Sequence, residues 1–169
     1  MIWTDAQSEV RLAQAFADLF DHLVKALVRG APTTDAPEFS YLMTPKQLAT
    51  VQGICAAKGW PVVNCRGIHI DAQAVMHPLS ARLKKDSVKV EDVKSILLKA
   101  YSPRSLICEN RDHTQQTLIF NTHHKLLIGT TKYHGMAVLE VKSTGARNYL
   151  APVTAYHATE AKVRALQKR

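Results

Sequence analysis

The chain has 169 residues, of which 46 % are apolar and 21 % charged, and its formal net charge is +8. A chain of this length can bury its own core without disulfide staples, so one domain, with or without a helical extension, is expected. No run approaches the roughly 18 apolar residues that span a bilayer, and Met1-Ile2-Trp3-Thr4-Asp5 has neither the basic nor the apolar region of a secretory signal; no membrane partner and a cytoplasmic location are expected.

In chain order, Thr4-Asp5-Ala6-Gln7 has the form of a capping box, with Thr4 as N-cap and Gln7 at the third helical position. Leu12, Phe16, Leu19, Phe20, Leu23 and Leu27 then fall on one helical face, and Gly30 before Ala31-Pro32 stops the helix. Residues 31–41 read as a polar loop with two prolines. An internal boundary is therefore expected near residue 40, between an N-terminal helical extension (1–40) and the remainder (41–169).

Thr44-Pro45-Lys46-Gln47 repeats the start signal with proline at the first helical position, and Gly59 ends a second helix. Trp60 to Cys65 reads as a short strand, Arg66-Gly67 as its turn and Ile68-His69-Ile70 as extended chain. Asp71 can cap a helix through Met76, which Pro78 disturbs or restarts. Val88 to Tyr101 is a clearer helix, with Val90, Val93, Ile96, Leu97 and Ala100 on one side, closed by Ser102-Pro103.

After residue 104 the period changes. Ser105–Glu109, Gln116–Asn121, Lys125–Tyr133, Met136–Lys142 and Asn148–Tyr156 are β-rich runs. Asn110-Arg111-Asp112, Thr122-His123-His124, His134-Gly135 and Ser143-Thr144-Gly145 separate them. Such short connections imply an antiparallel meander, and Thr159 to Arg169 forms a short basic helix. The fold class is α+β, with N-terminal helices followed by an antiparallel β-meander sheet.

The charge is uneven. Residues 1–40 hold three Lys or Arg against six Asp or Glu, whereas residues 41–169 hold nineteen against eight. A basic domain behind an acidic helix points to a phosphate-bearing partner, RNA above all. Cys55, Cys65 and Cys108 are odd in number and form no CxxC, so reduced thiols are expected. The eight histidines offer no HExxH or other metal-ligand spacing, and no glycine-rich phosphate loop occurs, so neither metal nor cofactor is expected. Carboxylates are scarce in the basic part; Asp86, Glu91 and Asp92 read as helix-start residues. A nuclease built this way would work without metal, letting the 2′-hydroxyl of RNA attack the adjacent phosphate while imidazoles move protons and cations hold the charge.

Two segments carry the residues for this. One is Ile68 to Arg82, with His69, His77 and Arg82 around a strand-to-helix junction; the other is Pro152 to His157, where alternation sets Thr154 and Tyr156 on one face and Val153, Ala155 and His157 on the other. Each residue also has a structural reading: His69 as a strand histidine, His77 as a helix-end cap, Arg82 with Lys84 and Lys85 as a solvated face, Thr154 and Tyr156 as β-formers, His123 and His124 as turn residues.

The order of elements and these two segments, across residues 62–160, resemble the barnase–EndoU–colicin–RelE (BECR) group of ribonucleases, in particular its phage-associated branch in mobile elements and toxin modules. The resemblance implies His69 as the early catalytic histidine, His77 and Arg82 as its followers, and Thr154 with Tyr156 as the last-strand motif, joined by His157. Where relatives often carry glycine beside the second histidine, this chain has Pro78. Lys84, Lys85, His123, His124 and Lys125 are the expected substrate contacts. The implied activity is a metal-independent ribonuclease of toxin or effector type, acting on RNA such as tRNA and neutralised by an acidic immunity or antitoxin protein. Two alternatives stand beside it: a non-enzymatic nucleic-acid-binding phage or plasmid regulator, and a protein–protein inhibitor module docking through the residue 5–29 helix.

Overall fold

The computed structural model describes residues 2–4, 9–29, 36–85, 88–110 and 115–167. Asp5 to Gln7 of the first start signal, and Gly30 with the loop to Asp35, lie outside the described residues. Thr4 ends a strand, β1 (Ile2–Thr4), which runs parallel to β2 (Phe39–Leu42) with Thr4 opposite Tyr41. Between them lies α1 (Glu9–Arg29). Phe39, Ser40 and Tyr41, expected as loop, are buried in β2; two aromatic side chains with a place in the core outweigh the turn signal of Pro37.

Helix α2 (Pro45–Lys58) has the expected ends. Thr44 accepts from the Gln47 amide, the Gln47 side chain accepts from the Thr44 amide, and Gly59 closes the helix at φ 70°. Gln47 is 4 % exposed and ties three segments together. Its amide nitrogen donates to the carbonyls of Ser102 (2.8 Å) and Ser105 (3.1 Å), and its oxygen also accepts from the Tyr41 hydroxyl (2.8 Å).

Residues 60–66 do not make a strand. Regular extension begins at β3 (Gly67–Ile70), antiparallel to β2. Helix α3 (Ala72–Lys85) starts where Asp71 accepts from the Ala74 amide at 3.0 Å. It runs through Pro78 unbroken; one amide is lost there, but buried Val75 and Leu79 anchor the turns on either side. Helix α4 (Val90–Ala100) begins with the Lys89 amide donating to Asp92 at 2.9 Å.

Four strands follow: β4 (Leu106–Glu109), β5 (Thr117–Ile128), β6 (Thr131–Thr144) and β7 (Arg147–Ala158), in that order across one antiparallel sheet. Helix α5 (Glu160–Gln167) ends the described chain. The α+β class and the meander are as expected, but two turns are not where the sequence suggested. Thr122-His123-His124 lies inside β5, at a register irregularity between Asn121 and Lys125, and the hairpin turns at Gly129 (φ 63°). His134-Gly135 lies inside β6. A side chain at Gly135 would put its Cβ 2.6 Å from the Ile96 carbonyl oxygen, so glycine is what lets α4 lie against the sheet.

One core joins most of the chain. Phe16 packs edge-on against Phe39 at 4.9 Å, and Tyr101 stands beside Phe16, Tyr41 and Phe120. The same cluster takes in Val75, Leu79, Ile96, Leu139, Leu150 and Ala155. Packing therefore runs straight across the boundary expected at residue 40, and the apolar stripe of α1 is spent inside this core rather than on a partner. A smaller cluster of Ile119, Met136, Val138 and Ala158 on the other face of the sheet is covered by Val163 of α5. No helix among the described residues is long and apolar enough to cross a membrane.

Candidate active site

Strand β3 alternates, with Ile68 and Ile70 buried inward and His69 turned outward. Its register with β2 sets Ser40 opposite His69. Glu38, two residues before Ser40, shares that outer face, and its Oε2 lies 3.3 Å from His69 Nε2. The pair is open to solvent, the two side chains being 38 % and 48 % exposed. His69 Nδ1 is buried and has no hydrogen-bond partner.

The chain turns at Asp71 into α3, whose first turns present Gln73, Ala74 and His77 on one side. Opposite them runs the outer edge of β7, residues Tyr149 to Val153. His69, Asp71, Gln73 and His77 thus face β7 across an open cleft of about 380 Å³. The β7 edge is suited to this. Pro152 has no amide to offer a neighbouring strand, and a bulge between the Val138–Thr154 and Leu139–Pro152 pairs leaves Val153 without a partner on β6.

An asparagine clasp fixes the walls. The Asn64 amide donates to Asn148 O, the Asn148 amide to Asn64 Oδ1, the Asn64 side chain to Ala146 O and the Asn148 side chain to Val62 O, each at 2.9 Å. Beside it, Arg147 lies over the Tyr149 ring, 5.0 Å from its centroid, and its Nε donates to Cys65 Sγ at 3.3 Å. That sets an exposed guanidinium next to a tyrosine of the cleft wall.

Of the six residues expected to be catalytic, His69 and His77 come together here and the other four do not. Arg82 follows Val75 and Leu79 at helical spacing, so it continues the core-facing stripe of α3 instead of the His77 side. Thr154 and Tyr156 do share a face, as expected, but it is the face of the small cluster beneath α5. Thr154 Oγ1 is buried there without a hydrogen-bond partner. His157 stands edge-on to Tyr133, ring centroids 4.7 Å apart, ~13 Å along the strand from Val153. The side chains of Lys84, Lys85, His123, His124 and Lys125 lie outside the described residues.

Glu38, Gln73, Tyr149 and Arg147 were not expected at the site. Gln73 comes in on α3 between His69 and His77, while nothing local in the sequence marks the other three, which arrive through strand register and the clasp. Among the described residues no three His, Cys, Asp or Glu side chains group as metal ligands would. Compared with protein-family models, curated proteins and solved structures, the chain matches none.

Proposed function

We propose that the protein is a metal-independent ribonuclease of the toxin or effector type, acting in the cleft between α3 and the edge of β7. The observation that carries this reading is the meeting of His69 and His77, from two different elements, on one solvent-open cleft in a strongly basic chain. The sequence of helices and an antiparallel meander, which resembles the BECR ribonucleases, supports it.

The chemistry needs one group to take a proton and another to give one. The exposed Glu38 carboxylate, held in place by His69 Nε2, takes the proton of the 2′-hydroxyl, whose oxygen attacks the neighbouring phosphorus. The bond from phosphorus to the 5′-oxygen breaks, His77 protonates that oxygen, and a 2′,3′-cyclic phosphate remains. Arg147 holds the phosphate, which guanidinium can do through two parallel hydrogen bonds; it replaces Arg82 in that role. Incubating the protein with tRNA in EDTA tests the proposal: new ends bearing cyclic phosphate are expected, and RNA left intact would refute it.

A second reading, a nucleic-acid-binding regulator without catalysis, draws on two facts. Nε2 of His69 is already engaged by Glu38, and Arg82 and Thr154 stand outside the cleft. That reading expects salt-sensitive RNA binding with no cleavage. An acidic neutralising protein belongs to the first reading only.

A further inference from the structure

Arg147, beside the cleft at Tyr149, is the first of four exposed cations that follow one another along the surface. Its Nε reaches Cys65 Sγ, and Arg66 comes next in the chain. Arg66 is fixed on Met43: its Nε donates to the Met43 carbonyl and its own carbonyl accepts from the Met43 amide, both at 2.9 Å. Met43 immediately precedes Thr44, the N-cap of α2, so Lys46 in the first turn of that helix is the third cation. Lys46 shares an open hollow of about 460 Å³ with the fourth, Arg104. Gln47 holds this hollow together, because its amide nitrogen ties the start of α2 to the Ser102 and Ser105 carbonyls on either side of Arg104. No carboxylate lines the hollow, and the one acid of β4, Glu109, is taken up by Lys58 at 2.9 Å.

We infer that this strip is a track for the RNA strand beyond the scissile phosphate, so that the substrate is a single strand several nucleotides long. The inference rests on the reading of the cleft as an RNA site, since the strip begins at the arginine that holds the phosphate there. Like charges held side by side repel one another, and a chain of phosphates laid along them removes that repulsion. The strip leads from the β7 edge of the four-stranded sheet round to its β4 edge. A single strand can follow such a course, whereas a duplex is stiff over lengths much greater than this protein. The contacts are to phosphates, so the track fixes position and length and selects no base.

Fluorescence anisotropy with labelled 2′-O-methyl RNA tests this. Such RNA has no 2′-hydroxyl to attack with, so binding is read whether or not the cleft cleaves. A twelve-nucleotide strand is expected to bind at least about tenfold more tightly than a trinucleotide or a duplex of the same length. Arg66→Gln, and Lys46→Gln with Arg104→Gln, should each weaken the longer strand by about threefold or more and lower its salt slope by about 0.7 per charge removed. Trinucleotide binding should hold in both, and Lys162→Gln, an equal loss of charge on exposed α5, should change neither length. Equal affinity for the two lengths, full binding by the double variant, or an equal loss in Lys162→Gln would overturn the inference. So would a polyglutamate peptide of the same charge binding as tightly as the RNA, which would give the strip to an acidic protein. RNA cleavage without this length dependence would leave the cleft reading standing and remove only the track.

Discussion

His69 Nε2 and Glu38 Oε2 lie 3.3 Å apart, diagonally across the β2–β3 ladder, so the carboxylate that the imidazole holds comes from a residue 31 positions earlier. Both groups are well exposed, and an exposed pair adds little to stability, ~0–1 kcal/mol. Its importance is to the cleft. Glu38→Gln keeps the shape and removes the charge. RNA cleavage should fall about 10²–10⁴-fold, with the melting temperature within a degree or two of wild type. A large loss of stability with unchanged specific activity would assign Glu38 to the fold instead.

Arg147 and Arg82 separate the geometry of the cleft from the order of motifs. Arg147→Ala should raise KM for RNA by about tenfold and reduce the dependence of binding on salt. Arg82→Ala should leave KM near wild type, because Arg82 lies on the core-facing stripe of α3 behind Val75 and Leu79. Steady-state kinetics at two salt concentrations measures both.

Gly135→Ala introduces a Cβ 2.6 Å from the Ile96 carbonyl oxygen and 3.0 Å from Lys99 Cβ. Neither backbone nor Cβ can swing aside, so α4 must shift off β6. A loss of about 1–3 kcal/mol is expected in urea unfolding. Gly53→Ala, where the added Cβ meets nothing within 4 Å in the middle of α2, should be neutral or stabilising by up to ~1 kcal/mol.

Tyr101 is 1 % exposed and burial drives its hydroxyl well above the ordinary tyrosine range. Tyr41 is raised likewise by burial, against a smaller opposing effect of its bond to Gln47. Since both folded values lie above the unfolded one, the stability they contribute is complete below about pH 10 and is lost as pH rises beyond it. Each group steepens that decline by about 1.4 kcal/mol per pH unit. Tyr101→Phe should therefore unfold less steeply between about pH 10 and 12, which alkaline melting curves would register.

The parts of the fold written in local chemistry were readable from the sequence. The Thr44–Gln47 box, the Asp71 cap and the α4 stripe depend on neighbours three or four residues apart, and the strands' apolar runs on neighbours closer still. What failed depends on partners far along the chain. Phe39 to Tyr41 reads as loop but pairs with β1 and β3, and Thr122-His123-His124 has turn composition but is carried through by the pairing of Asn121 and Lys125 with β6 on either side. The site divides in the same way. His69 and His77 share one short segment, and a single strand-to-helix turn brings them together. Tyr149 in the cleft wall, and Glu38 and Arg147 beside it at His69 and Tyr149, are placed there only through the β2–β3 register and the Asn64–Asn148 clasp, which no spacing within a segment reveals.

The most direct measurement is kcat/KM for cleavage of one defined RNA in EDTA by wild type, His69→Ala, His77→Ala and Thr154→Val. Loss of either imidazole should lower it by about 10²–10⁴-fold, while Thr154→Val, away from the cleft, should stay within about tenfold of wild type. Wild-type rates in both histidine variants, or a collapse in Thr154→Val that they do not share, would contradict the account.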